Sequence, residues 1–136
     1  MNKAIGIDFG LKRTGISISD DLGIIATPLK TVASVDLMQE IENLVANEFI
    51  QTIVIGYPLD LSGKDTDITA NVRLLKTAIE KQFSQCNVAL YDERMTSKIA
   101  QQTLIQTVSK KKRQDKGRLD RLSATIILQY YLSANS

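Results

Sequence analysis

The sequence has no histidine and no tryptophan, a single cysteine, two prolines, and only three phenylalanines and four tyrosines. Without histidine there can be no Ser-His-Asp or Cys-His nucleophile system, no histidine general base and none of the usual zinc sites. Cys86 alone cannot close an internal disulfide. No apolar run approaches the roughly 20 residues that a membrane helix requires, and no basic-then-apolar leader precedes Asp8. A soluble cytoplasmic protein with no membrane association is therefore expected. Any catalysis must use carboxylates, Lys, Tyr, Ser or Thr, or a metal held by oxygen, for which Mg²⁺ and Mn²⁺ are the natural ions.

A chain of 136 residues can bury a continuous core without staples, so residues 1–136 are expected to form one α/β domain. The net charge of +2 hides an uneven distribution. Residues 109–118 hold six of the 17 Lys and Arg and one of the 15 acids, which is +5 locally and leaves −3 for the rest. Such a concentration suits an anionic polymer, although a solvated loop would have the same composition.

Taken in order, residues 3–8 read as a buried strand and Gly10 to Gly15 as a hairpin loop. Thr14 to Ser19 then alternates, with Ile16 and Ile18 on one face and Ser17 and Ser19 on the other, as a half-exposed strand would. After the turn at Asp20-Asp21-Leu22-Gly23, a third strand is expected from Ile24 to Thr31, at the sheet edge because of Pro28. Ser34 offers an N-cap for a helix reaching Phe49, with Val35, Met38, Ile41, Leu44 and Val45 at helical spacing. Thr52 to Gly56 is a short β-branched run, best read as a central strand parallel to the first. A polar loop from Tyr57 to Asp65, a helix from Thr66 to Phe83 and a strand from Val88 to Tyr91 follow. A helix beginning at Thr96 or Ser97 leads into the basic stretch, and a last amphipathic helix is expected from Leu119 to Leu132. The expected architecture is a five-stranded mixed sheet, an antiparallel meander of strands 1–3 plus parallel strands 4 and 5, with helices on both faces.

In such a sheet the carboxyl ends of strands 1, 4 and 5 share one edge, where open α/β sheets place ligands. Asp8 ends the first strand and Glu93 follows the fifth, with Gly56 leaving space between them. An ionised carboxylate at the end of a buried run costs several kcal/mol unless something positive meets it. Asp120 shares a helix face with Ala124, Ile127 and Tyr131, so it points toward the same edge. Each acid has a plain structural explanation: a turn residue for Asp8, an ion pair with Arg94 for Glu93, a first-turn helix acid for Asp120. All three together are harder to explain that way, since converging acids raise one another's pKa. Divalent cations would resolve the repulsion, and a pair of them about 4 Å apart clamps a phosphodiester, activates water and stabilises the leaving oxygen.

These residues fall into a wider pattern. Ile7-Asp8-Phe9-Gly10-Leu11-Lys12-Arg13-Thr14-Gly15 with Ser19-Asp20, then Val54-Ile55-Gly56-Tyr57-Pro58-Leu59, Asp92-Glu93-Arg94-Met95-Thr96-Ser97, and Lys116-Gly117-Arg118-Leu119-Asp120 with Ile127 to Leu132, resemble the successive motifs of the YqgF-type family. That family is described as Holliday-junction-resolvase-like and as a pre-16S ribosomal RNA nuclease. The resemblance runs in order along nearly the whole chain. It implies an RNase H-like fold and metal-dependent phosphodiester hydrolysis at the 5′ end of small-subunit ribosomal RNA. It also implies an acidic catalytic and metal site at Asp8, Glu93 and Asp120, with Lys12 and Arg13 meeting phosphate. Two positions depart from the family pattern: Leu11 is bulkier than the residue expected there, and Thr66 stands where a glycine is expected.

Three function classes compete. In the nuclease reading, Asp8, Glu93 and Asp120 bind Mg²⁺ or Mn²⁺, and Lys110, Lys111, Lys112, Arg113 and Lys116 hold the substrate backbone, so that affinity falls with salt. Few aromatics for stacking favour structured precursor ribosomal RNA over a sequence motif. Branched DNA is the alternative substrate, and resolving it would call for a homodimer rather than a monomer. A second class is a non-catalytic RNA-binding factor acting on ribosomal particles. The third, an actin-like nucleotide site built on Asp8, Gly10 and Gly15, needs a longer chain and an Asp-x-Gly-x-Gly-Thr segment that this sequence lacks.

Overall fold

The computed structural model describes residues 2–58, 62–64, 66–93 and 116–135. Strand β1 (Ala4–Asp8) is flanked by β2 (Arg13–Ser19), antiparallel, and by β4 (Thr52–Tyr57), parallel. Beyond these lie β3 (Ala26–Ala33), antiparallel to β2, and β5 (Asn87–Asp92), parallel to β4. The strand order is β3-β2-β1-β4-β5, the mixed sheet expected from the sequence. Pro28 does lie on the edge strand, where its missing donor breaks no ladder. The third strand starts and ends two residues later than the apolar pattern suggested.

Strand alternation divides the core between the two faces of the sheet. Ile5, Ile7, Ile53 and Ile55 meet α1 (Leu37–Glu48) and α2 (Thr69–Gln82) through Leu37, Ile41, Leu44, Val72 and Ile79. Ala4, Val54 and Gly6 face α3 (Lys116–Ala134), which contributes Ile127, Leu128 and Leu132. Helix α3 runs across β1, β2, β3 and β4. The expected helix from Thr96 or Ser97 lies outside the described residues. Among the described residues, no helix is long and apolar enough to cross a membrane.

Four local expectations change. Ser17 and Ser19 are buried, not solvent-facing, so β2 is covered on both faces. Their hydroxyls are satisfied internally: Ser17 donates to the Ala124 carbonyl at 2.7 Å, and Ser19 accepts from the Ala4 amide at 2.8 Å. Ser34 does not cap α1. It opens a 3-10 turn (Ser34–Asp36) and turns its hydroxyl toward Thr14 and Gly10, while Val35 is left exposed. Helix α2 begins at Thr69 instead of Thr66 because both hydroxyls bond the Pro58 carbonyl and the Thr66 amide donates to Thr69 Oγ1 at 2.7 Å. Helix α3 begins at Lys116, three residues earlier than expected, which carries Asp120 beyond the first turn.

Candidate active site

Asp8 ends β1 on the α3 face of the sheet, in register with Gly15 of β2. Glu93 directly follows β5, whose last pairs with β4 are Gly56 with Tyr91 and Tyr57 with Asp92. The space over Gly56 is filled. A Cβ there would lie 3.3 Å from Glu93 Cδ and 2.6 Å from Ile127 Cδ1, so the missing side chain is what lets Glu93 lie back over β4 toward Asp8.

Asp120 is held by its backbone. A Cβ at position 15 would fall 1.9 Å from the Asp120 carbonyl oxygen, a distance no side chain tolerates. Only glycine in the middle of β2 lets α3 come this close. Thr31 of β3 donates to the Gly117 carbonyl and accepts from Arg121 at 3.3 Å, and the bond from Ser17 to Ala124 fixes the next turn. With Asp120 beyond the first turn of α3, the helix dipole no longer explains it.

Asp8 feels both of the other acids. Burial, and then repulsion from Glu93 and Asp120, pushes the Asp8 carboxyl up to about 7. Burial, and then the neighbouring Asp92, raises Glu93 as well. One oxygen of Asp120 instead meets a cation: Arg13 Nε donates to Asp120 Oδ2 at 2.9 Å. As the side chains stand, no three acidic or sulfur side chains among the described residues form a group able to hold a metal ion.

The turn between β1 and β2 carries Leu11 and Lys12, and Arg13 opens β2; all three are exposed. Ser34 clamps it from below. Its hydroxyl donates to the Gly10 carbonyl at 2.5 Å, its amide donates to the Lys12 carbonyl at 2.9 Å, and Thr14 Oγ1 lies 2.8 Å from the same hydroxyl. The bulk of Leu11 is accommodated because its side chain is in solvent. Thr66, in place of the expected glycine, becomes part of the hydroxyl network that starts α2. Lys110, Lys111, Lys112 and Arg113 lie outside the described residues, as does the side chain of Lys116, so only Lys12 and Arg13 of the expected phosphate contacts are placed.

The residues not anticipated from sequence are Gly15, Ser17, Thr31 and Ser34, which position the acids and the basic turn. A glycine inside an alternating strand was the available signal for Gly15.

A five-stranded mixed sheet in this order, with acids at one edge and helices on both faces, is the RNase H-like fold. Two solved structures of Thermus thermophilus RuvC match it. One, in complex with Holliday junction substrate, has a TM-score of 0.65 at 12% identity, covering 99% of this chain and 96% of that one. The other gives 0.60 at 11% identity, with 98% and 95% covered.

The chain belongs to the RuvX family, described as Holliday junction resolvase, whose profile matches residues 2–134. Its relatives include proteins named "Putative pre-16S rRNA nuclease". The one from Amoebophilus asiaticus is 42% identical over 98% of this chain and 96% of its own length. The one from Bacteroides thetaiotaomicron is 39% identical over 98% of both chains, and that from Flavobacterium johnsoniae 38% identical over 98% of both.

Proposed function

We propose that the chain is a divalent-cation-dependent nuclease, one catalytic domain over residues 1–136, that cleaves precursor 16S ribosomal RNA at its 5′ end in the cytoplasm. What supports this reading is a buried Asp8 with Glu93 lying over Gly56 on one side of it and Asp120 brought in at Gly15 on the other. Burial and both neighbours disfavour a charge on Asp8, and nothing among the described residues offsets them. The donor set contains only oxygen, which suits Mg²⁺ or Mn²⁺. It fits such an ion once the Asp120 carboxylate is released from Arg13. When bound, the cation would neutralise the acids, orient the scissile phosphate and lower the pKa of the attacking water.

The protein supplies position. β1 ends in Asp8 and β5 leads into Glu93 on either side of β4, where Gly56 leaves room for the Glu93 side chain, and Gly15 brings the Asp120 backbone down onto β2. Lys12 and Arg13, on a turn fixed by Ser34, engage the backbone phosphate, and the run from Lys110 to Lys116 extends that contact along the substrate. The names of the full-length relatives support precursor ribosomal RNA as substrate. Branched DNA is the second reading, favoured by the family description and by the fold shared with RuvC.

Depletion in cells tests the choice. If ribosomal RNA is the substrate, depletion leaves 5′-extended 16S precursors that wild type clears and Asp8→Asn does not. Normal 16S ends, with accumulated branched DNA, would transfer the assignment to the second reading.

A further inference from the structure

Two residues that this reading assigns to different ligands are bound to each other. Arg13, placed to meet phosphate, donates from Nε to Asp120 Oδ2 at 2.9 Å. Asp120, placed to meet the cation, spends that oxygen on the guanidinium. Neither can give its full capacity to its ligand while the pair stands. The main chain on both sides is fixed: Gly15 packs against the Asp120 carbonyl, and Ser34 holds the Lys12 carbonyl. The freedom that remains is in the side chains.

Magnitude decides whether the pair can open. Its side chains are 44% and 24% exposed, a setting in which ion pairs contribute little. A phosphate can take the guanidinium in two parallel charge-assisted bonds, and a divalent cation outcompetes a monovalent one for a carboxylate. Either ligand is therefore able to break the pair. Whichever arrives first spares the other the cost of doing so.

We propose that Arg13 is a positioning residue that couples nucleic-acid binding to cation binding: a backbone phosphate takes its guanidinium, and the released Asp120 carboxylate turns to complete the cation site with Asp8 and Glu93. The proposal rests on the cation-site reading above. Coupling is reciprocal, so the cation equally frees Arg13 for phosphate. A partly exposed pair limits the effect to about fivefold in either affinity. In its resting state the protein then holds the ion weakly and assembles its site on the substrate.

Paired charge controls separate this exchange from plain electrostatics. Mn²⁺ is titrated by calorimetry into wild type, Arg13→Gln and Lys12→Gln without nucleic acid. Both variants lose one positive charge at the same turn, but only Arg13→Gln frees Asp120. Tighter Mn²⁺ binding by Arg13→Gln than by Lys12→Gln, by about fivefold, is expected; equal affinities overturn the proposal. In chelator, fluorescence anisotropy of a labelled RNA gives the reciprocal comparison. At pH 8, Asp120→Asn should bind it more tightly than Asp8→Asn, since each removes one negative charge beside the turn and only the first frees Arg13; equal binding again overturns the coupling. This second comparison decides the matter if Arg13→Gln fails to fold. Asp8→Asn tests the underlying site. Unchanged Mn²⁺ binding there would defeat both the cation site and the coupling, whereas lost binding there beside equal Arg13 and Lys12 variants would defeat the coupling alone.

Discussion

A Cβ on residue 15 would sit 1.9 Å from the main-chain carbonyl oxygen of Asp120, so β2 and α3 touch backbone to backbone at the point where the third acid is delivered. The contact joins residues more than a hundred positions apart. Gly15→Ala must push α3 away from the sheet, and overpacking of this kind costs about 1–3 kcal/mol. Urea denaturation should show that loss. Cleavage by the folded fraction should fall as well, because Asp120 moves with the helix. A variant with wild-type stability and activity would mean that α3 yields freely here.

Ser34→Ala removes the hydroxyl bonded to the Gly10 carbonyl and paired with Thr14. A lost hydrogen bond of this type costs about 1 kcal/mol. With the basic turn loosened, RNA affinity measured by anisotropy should drop several-fold while Mn²⁺ affinity stays close to wild type. Equal losses of both would point to general unfolding in place of a local clamp.

The acids make the metal-free protein pH-sensitive, and the sign follows from linkage. Asp8 titrates at about 7 in the fold against an ordinary value of 3.8, so between those values the native state binds more protons than the unfolded chain. Stability in chelator should therefore fall as pH rises from about 4 to about 7 and then level off, with a total loss of at most about 4 kcal/mol from this group. Glu93 adds to the loss in the same direction. Asp8→Asn should remove most of the slope and melt above wild type at pH 8 in chelator. Mn²⁺ should restore the wild type most strongly at that pH. Thermal melts from pH 4.5 to 8 check all three expectations; wild type growing more stable with rising pH would contradict them.

The basic run should appear in the salt dependence. Replacing Lys110, Lys111, Lys112 and Arg113 by Gln removes four charges, and each phosphate contact contributes about 0.7–0.9 to the slope of log affinity against log salt. The RNA-binding slope should flatten by about 3 if all four make contact. Unchanged slope would confine phosphate recognition to Lys12, Arg13 and Lys116.

Much of the sheet was legible because its β-branched runs are short, separated by turns and helical patterns, and end in acids. The order of strands followed from the helical crossovers, and Asp8, Gly56 and Glu93 from strand ends along one edge. What was not legible depends on α3. Ser17 and Ser19 alternate with isoleucines as solvent-facing residues would, and nothing near them reveals that a helix about a hundred residues later covers that face. Ser34 has the type and position of a helix cap, yet its hydroxyl is used by the turn across the sheet. The pairing of Arg13 with Asp120 is not legible in either segment, since 107 positions separate the two and only the packing of α3 on β2 brings them together.

The most direct test is cleavage itself. Wild type, Asp8→Asn, Glu93→Gln and Asp120→Asn are incubated with precursor 16S RNA and with a four-way DNA junction, with Mg²⁺, Mn²⁺ or chelator, under single-turnover conditions. Wild type should cut the precursor RNA near its 5′ end only when the cation is present, and each acid variant should lose at least about a hundredfold in rate. Equal cleavage by wild type and Asp8→Asn, or undiminished cleavage in chelator, would contradict the assignment of these three acids to the reaction.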